Sequence, residues 1–275
     1  MPLHILSLVL FAAFLHAAWN ALLRSGADQL WSMTIMCVAV ASASAIAALF
    51  LPLPALESWP YAVLSAVLHV GYNLFLVRSY RAGDMGQTYP IARGSSPVLI
   101  TLYASIFAGE QVSANALLGI GLVSAGIISL AFKGRKVSMP QLPYALGTGS
   151  FIAAYSVTDG IGARLSSTPV AYTVWMCVMW GVLMPPVYIL LRDARSLITP
   201  RAGFITAFMG GLVSLLAYGI IIYAMSGAPM GAVSALRETS VLFAVLISHF
   251  FLGEALTVRK MLACGVIAAG TMLIN

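Results

Sequence analysis

The sequence predicts an all-α polytopic membrane protein, with ten transmembrane helices arranged as two inverted five-helix repeats. Three observations carry this. The 275 residues are 61% hydrophobic and only 8% charged, with a mean hydropathy of +0.97. A soluble domain carries about 25% charged residues, so this chain lacks the polar groups to cover a water-facing surface. Its apolar stretches come in lengths of roughly 20 residues, the span of a bilayer core. Finally, the chain repeats itself at a near-constant offset.

Cutting at clusters of charge, proline and glycine gives ten spans: 3–23, 29–51, 58–80, 84–107, 112–132, 141–163, 168–191, 200–225, 229–251 and 256–274. Helices are the expected form, because an open strand cannot satisfy its backbone in lipid. The opening "MPLHILSLVLFAAFLHAAWN" lacks the basic start of a signal peptide and continues apolar to Leu23, so it reads as a retained first helix. The connections are short and leave no room for an extramembrane domain.

The repeat is collinear. "RGSSPVLITLYASIFAGE" (93–110) aligns with "RETSVLFAVLISHFFLGE" (237–254), matching Arg93 to Arg237, Ser96 to Ser240 and Gly109-Glu110 to Gly253-Glu254 at an offset of 144. Gly121 and Gly126 match Gly265 and Gly270 at the same offset. "DMG" (84–86) meets "PMG" (229–231), and "FAAFLHAAWNALLR" (11–24) meets "FIAAYSVTDGIGAR" (151–164). Two units follow, 1–134 and 141–275, joined by the loop around 133–140. Because five is odd, the second unit enters the membrane from the opposite side. Inverted repeats with a midplane site between them are the architecture of many secondary transporters.

Charge sets the expected orientation. Arg24, Arg78, Arg81, Lys133, Arg135, Lys136, Arg192, Arg195, Arg201, Arg259 and Lys260 fall on one face and Arg164 on the other. The basic-rich face is expected in the cytoplasm, which with ten spans puts both termini in the periplasm of a bacterial inner membrane. The net charge of +6 is loop charge of this kind; no basic patch interleaved with aromatics suggests nucleic-acid binding. Cys37, Cys177 and Cys264 lie far apart in apolar runs and read as packing residues.

Two arginines remain inside spans. Arg93, nine residues past Asp84, sits roughly 13 Å deep at about 1.5 Å per residue, and Arg237 reaches a similar depth from the opposite face. Such residues face a cavity or a partner. One reading is a structural ion pair, Arg237 with Glu238 and Arg93 with Asp159 or another acid. The other is a grip on an anionic cargo group, since a guanidinium holds a carboxylate bidentately. Pro90, Gly94 and Pro97 surround Arg93 and suggest a bent or broken helix lining a cavity.

His16 and Asn20 share one helix face, and His69 and Asn73 repeat the spacing beside Tyr72. These stripes either line a pathway or make interhelical hydrogen bonds. A metal site is not expected, because carboxylate or thiolate companions are missing. Tyr89 lies one turn before Arg93. Asp159 carries a proton, balances Arg93, or is solvated near Arg164 at the helix end. Trp175 and Trp180 either line a cavity or sit at the membrane interface, and Glu110 and Glu254 read as surface caps or pairs. The sequence has no HExxH, GxSxG, Walker A or GxGxxG motif, so neither enzyme chemistry nor a cofactor is expected.

Ten spans in two repeats, each with a helix ending in "GE" before a glycine-rich helix ("FAGE…GIGLVSAG", "FLGE…CGVIAAG"), resemble the EamA family of the drug/metabolite transporter superfamily. "LHAAWNALLR", "YPIARG" and "TDGIGAR" look like a bacterial subgroup of it. The resemblance spans essentially the whole chain. It implies an inner-membrane carrier of small metabolites, often an exporter of amino acids or related compounds. It also implies a central cavity lined by spans 1, 3, 4, 6, 8 and 9. Family members usually place both termini in the cytoplasm, where the charges here say the opposite.

The expected function is therefore a secondary transporter, an exporter of small polar metabolites such as amino acids or related carboxylates. The expected substrate-binding residues are Arg93, Arg237, His16, Asn20, His69, Tyr72, Asn73, Tyr89 and Asp159. The expected partners are a small-molecule substrate and the lipid bilayer, with the chain a monomer or homodimer. The alternative is a non-transporting membrane accessory or sensor subunit packed through its glycine-rich helices.

Overall fold

The computed structural model describes residues 1–24, 28–82, 85–132, 142–166, 168–198, 202–252 and 256–274. The expected connecting loop around 133–140, the pair Gly253-Glu254, Asp84 and Arg201 lie outside the described residues. Among the described residues there are helices and no strands. In chain order they are α1 (Leu3–Arg24), α2 (Gln29–Ala48), α3 (Trp59–Ala82), α4 (Met85–Ala108), α5 (Ala114–Ser129) and α6 (Leu142–Leu165), followed by α7 (Pro169–Leu191), a short α8 (Ala194–Ile198), α9 (Phe204–Gly227), α10 (Met230–Arg237), α11 (Ser240–Leu252) and α12 (Val258–Ile274).

Local chemistry sets several ends. The Asp28 carboxylate accepts from the Trp31 amide at 3.2 Å and starts α2. The Ser113 and Thr168 hydroxyls do the same for α5 and α7, each at 3.3 Å, and Pro169 fills the first position of α7. Gly109, with φ +64°, takes the left-handed conformation that ends α4.

Among the described residues, seven segments are long and apolar enough to cross a membrane: Leu3–Asn20, Gln29–Ala48, Leu56–Arg78, Thr88–Ala108, Pro169–Leu191, Phe204–Gly227 and Met230–Ile247. Three of the ten expected spans fall short of that measure. α5 has 16 residues and α12 has 17. α6 is long enough, but glycine, serine, threonine and Asp159 dilute its apolar content. It packs against α3, α4, α7 and α9. Outside, large apolar side chains such as Phe50, Phe107 and Leu190 are exposed, as expected where lipid replaces water.

Helices pair across the two halves of the chain. α1 packs on α9 and α3 on α6; α4 meets α6, and α1 meets α11. α2 packs on α7, and α5 on α12. The last pair is close: a Cβ added at Gly270 would lie 2.8 Å from the Gly119 carbonyl oxygen. Only glycine permits such backbone approach.

The expected break in "YPIARGSSP" is absent, since α4 runs unbroken through Pro90 and Pro97. Pro97 cannot donate to the Arg93 carbonyl one turn back. The Ser96 hydroxyl donates to that oxygen instead, at 3.0 Å. The break falls in the proline-free twin: Glu238 and Thr239 form a turn between α10 and α11.

Candidate functional site

Between the two halves lies a cavity of about 60 Å³, room for a few waters at roughly 10–15 Å³ each. Every helix from α1 to α10 except α5 and α8 contributes to its wall. The six spans named by the family resemblance are therefore present, and α2 and α7 join them.

Arg93 from α4 and Arg237 from the end of α10 meet there, 3% and 2% exposed. Both hold one carboxylate. Arg93 Nε donates to Glu238 Oε2 at 2.9 Å, and Arg237 Nη2 donates to Glu238 Oε1 at 3.5 Å. Glu238 itself is fully buried. Glu238 directly follows the last residue of α10. Two guanidinium groups thus share one acid, and Arg93 Nη2 and Arg237 Nε have no partner among the described residues. The Trp180 Nε1 and Asn73 Oδ1 atoms on the same wall are likewise unpartnered there. Three of these four orphaned atoms are N–H donors, and two of the three are cationic. An acceptor-rich anionic group is the complement.

The expected site residues divide into two groups. His16, His69, Tyr72 and Asn73 line the cavity with the two arginines. His16 accepts from Trp19 Nε1 at 3.1 Å. The His69 Nδ1–H donates to the Ser65 carbonyl at 2.9 Å, and its ring stacks on Tyr155 with centroids 4.0 Å apart. The Asn73 amide donates weakly to the sulfurs of Cys37 (3.6 Å) and Met184 (3.7 Å). Asn20, Tyr89 and Asp159 do not form part of the wall. Asn20 donates to the His16 carbonyl of its own helix at 2.8 Å, and Tyr89 lies with its ring centroid 6.0 Å from the Arg93 guanidinium.

Asp159 neither balances Arg93 nor is solvated. It is fully buried, and its two oxygens accept from Tyr172 (2.9 Å) and Tyr218 (2.5 Å). The acid beside Arg93 is Glu238 instead. Asp159 stands one hydrogen bond behind the cavity, through Tyr218. Arg164 pairs elsewhere: it donates to Glu110 at 2.5 Å and to the carbonyls of Met225 and Ala228. Glu110 also accepts from the Met230 amide at 2.9 Å. These bonds fasten the ends of α4 and α6 to the connection between α9 and α10.

Tyr155 and Tyr218, which line the cavity, were not among the expected site residues, and Glu238 was expected only as a partner of Arg237. Cys37 and Cys177, expected to be packing residues alone, both line the cavity. The available signal for Glu238 was an acid inside an apolar span beside an arginine.

A multi-pass helical bundle with a buried, charged cavity between its halves defines an integral membrane protein of transporter type. Residues 140–275 match the model of the EamA-like transporter family. This match covers the second half of the chain, and the family lies within the drug/metabolite transporter superfamily. It is 21% identical over 220 residues to the uncharacterized transporter YwfM of Bacillus subtilis (strain 168), covering 79% of this chain and 74% of that protein. A solved structure described only as "Crystal structure of protein" shares the fold, with a TM-score of 0.78, 20% identity and coverage of 98% of both chains.

Proposed function

We propose that the chain is a secondary carrier that exports a small polar metabolite bearing an anionic group, such as an amino acid or related carboxylate, across a bacterial inner membrane. The observation that carries this reading is the shared cavity wall of Arg93 and Arg237, with unpartnered cationic donors on both. Export is the direction suggested by the family resemblance.

Two inverted five-helix repeats would rock about this site. The helix pairing supports that arrangement: α1 on α9 mirrors α6 on α3, as spans 1 and 8 mirror spans 6 and 3 under the sequence offset. The excess of Arg and Lys on one face supports termini outside the cytoplasm. A reporter fused to the C-terminus checks this, and activity confined to the cytoplasm would count against it.

Binding tests the cargo class. A ligand that binds the folded state raises its apparent stability. The melting temperature of the purified protein should rise with some members of a panel of amino acids and organic acids, and not with their amides or esters. Equal shifts from neutral and anionic members would reject the anionic class.

A further inference from the structure

The buried acid between the two arginines has a use that neither a structural ion pair nor an anion grip explains alone. A carrier that works by alternating access must also close when empty. With no acid present, closure would seal two guanidinium groups away from water, and a buried charge without a partner is strongly disfavoured. Glu238 supplies one negative charge from inside the site, at 2.9 Å from Arg93 and 3.5 Å from Arg237. It has no equivalent in the first half: at the offset that joins Arg93 to Arg237, the residue matching Glu238 is Gly94. One carboxylate therefore serves both arginines. It does so from a turn rather than from within a helix, a position that can swing without unwinding further backbone.

We propose that Glu238 is a built-in stand-in for the cargo's anionic group. It holds Arg93 and Arg237 in the empty carrier so that the cavity can close, and an arriving anion takes its place on the guanidinium groups. The inference rests on the reading of the two arginines as the anion site.

The protein carries its own reporters. Cys37 and Cys177 are buried and line the cavity, so their alkylation requires the cavity to open. Cys264 on α12 is only half-buried and is replaced by alanine to silence it. The test measures the rate at which N-ethylmaleimide alkylates the two remaining thiols, in the full-length protein in liposomes with no cargo added. Glu238→Ala leaves the arginines unpaired in a closed cavity, which shifts the empty carrier toward open, wetted states. Alkylation should accelerate at least about tenfold. Sodium formate restores a carboxylate without a chain attached. Tens of millimolar formate should return the rate to within about twofold of the Cys264→Ala parent, and equimolar formamide, of the same shape but uncharged, should leave it fast.

A Glu238→Ala rate equal to the parent's overturns the proposal. So does a raised rate that formate leaves unchanged, which is the signature of a merely structural residue or a disrupted fold. Equal rescue by formamide overturns it as well. Because the thiol readout needs no cargo, its outcome is separate from that of any flux measurement. A wild-type protein that moves no metabolite counts against the carrier reading, whereas a failed formate rescue counts against Glu238 alone.

Discussion

Arg93 and Arg237 stand out in the sequence because charge inside a 20-residue apolar run is costly and so needs a cavity or a partner. That logic also found His16, His69, Tyr72 and Asn73, all of which reach the cavity wall. It pairs Arg237 with Glu238, as the structure does at 3.5 Å, but leaves Arg93 to Asp159 or another acid. Adjacent residues on a helix do not face each other, so an Arg-Glu dipeptide gives little sign of a shared site. The second arginine comes from α4, 145 residues away in the chain. Asn20 was misplaced, since an amide four residues from a carbonyl can satisfy itself on its own helix, as Asn20 does. These differences give a residue-scale prediction. Any melting shift produced by an anionic ligand should vanish in Arg93→Ala and persist in Asn20→Ala. Loss in both, or retention in both, would show that the wall has been drawn wrongly.

Among the elements, helix positions were legible from apolar length, and the matched glycines fall on α5 and α12. Which glycines meet a neighbour was not legible, because that depends on how α5 and α12 are rotated against each other. Gly270 lies on the Gly119 backbone, whereas Gly121 and its twin Gly265 have open space beside them. Gly270→Val should therefore overpack the α5–α12 contact, at about 1–3 kcal/mol, and lower the melting temperature by several degrees. Gly121→Val meets nothing and should melt within about 1 °C of the parent, because the space beside it is open. Equal melting temperatures for the two variants would contradict the packing described. The position of the break between α10 and α11 was also hidden. Prolines mark lost hydrogen bonds, but Ser96 repairs the loss at Pro97, and the real interruption carries no proline.

For the whole molecule, the sequence revealed a helical membrane protein, and the cavity lies between the two halves of the chain. It could not reveal that the cavity in this state is only about 60 Å³, because the size of a cavity is a property of one conformation rather than of composition. The bonds of Arg164 and Glu110 tie α4 and α6 to the α9–α10 connection at one end of the bundle. A carrier must leave this state, whereas a passive accessory subunit need not. The most direct measurement is flux through the purified protein, alone in liposomes, with a panel of labelled amino acids and organic acids. The account predicts movement of at least one anionic member, without a partner protein, and its loss in Arg93→Ala at equal protein content. No flux across the panel, or equal flux through the variant, would contradict it.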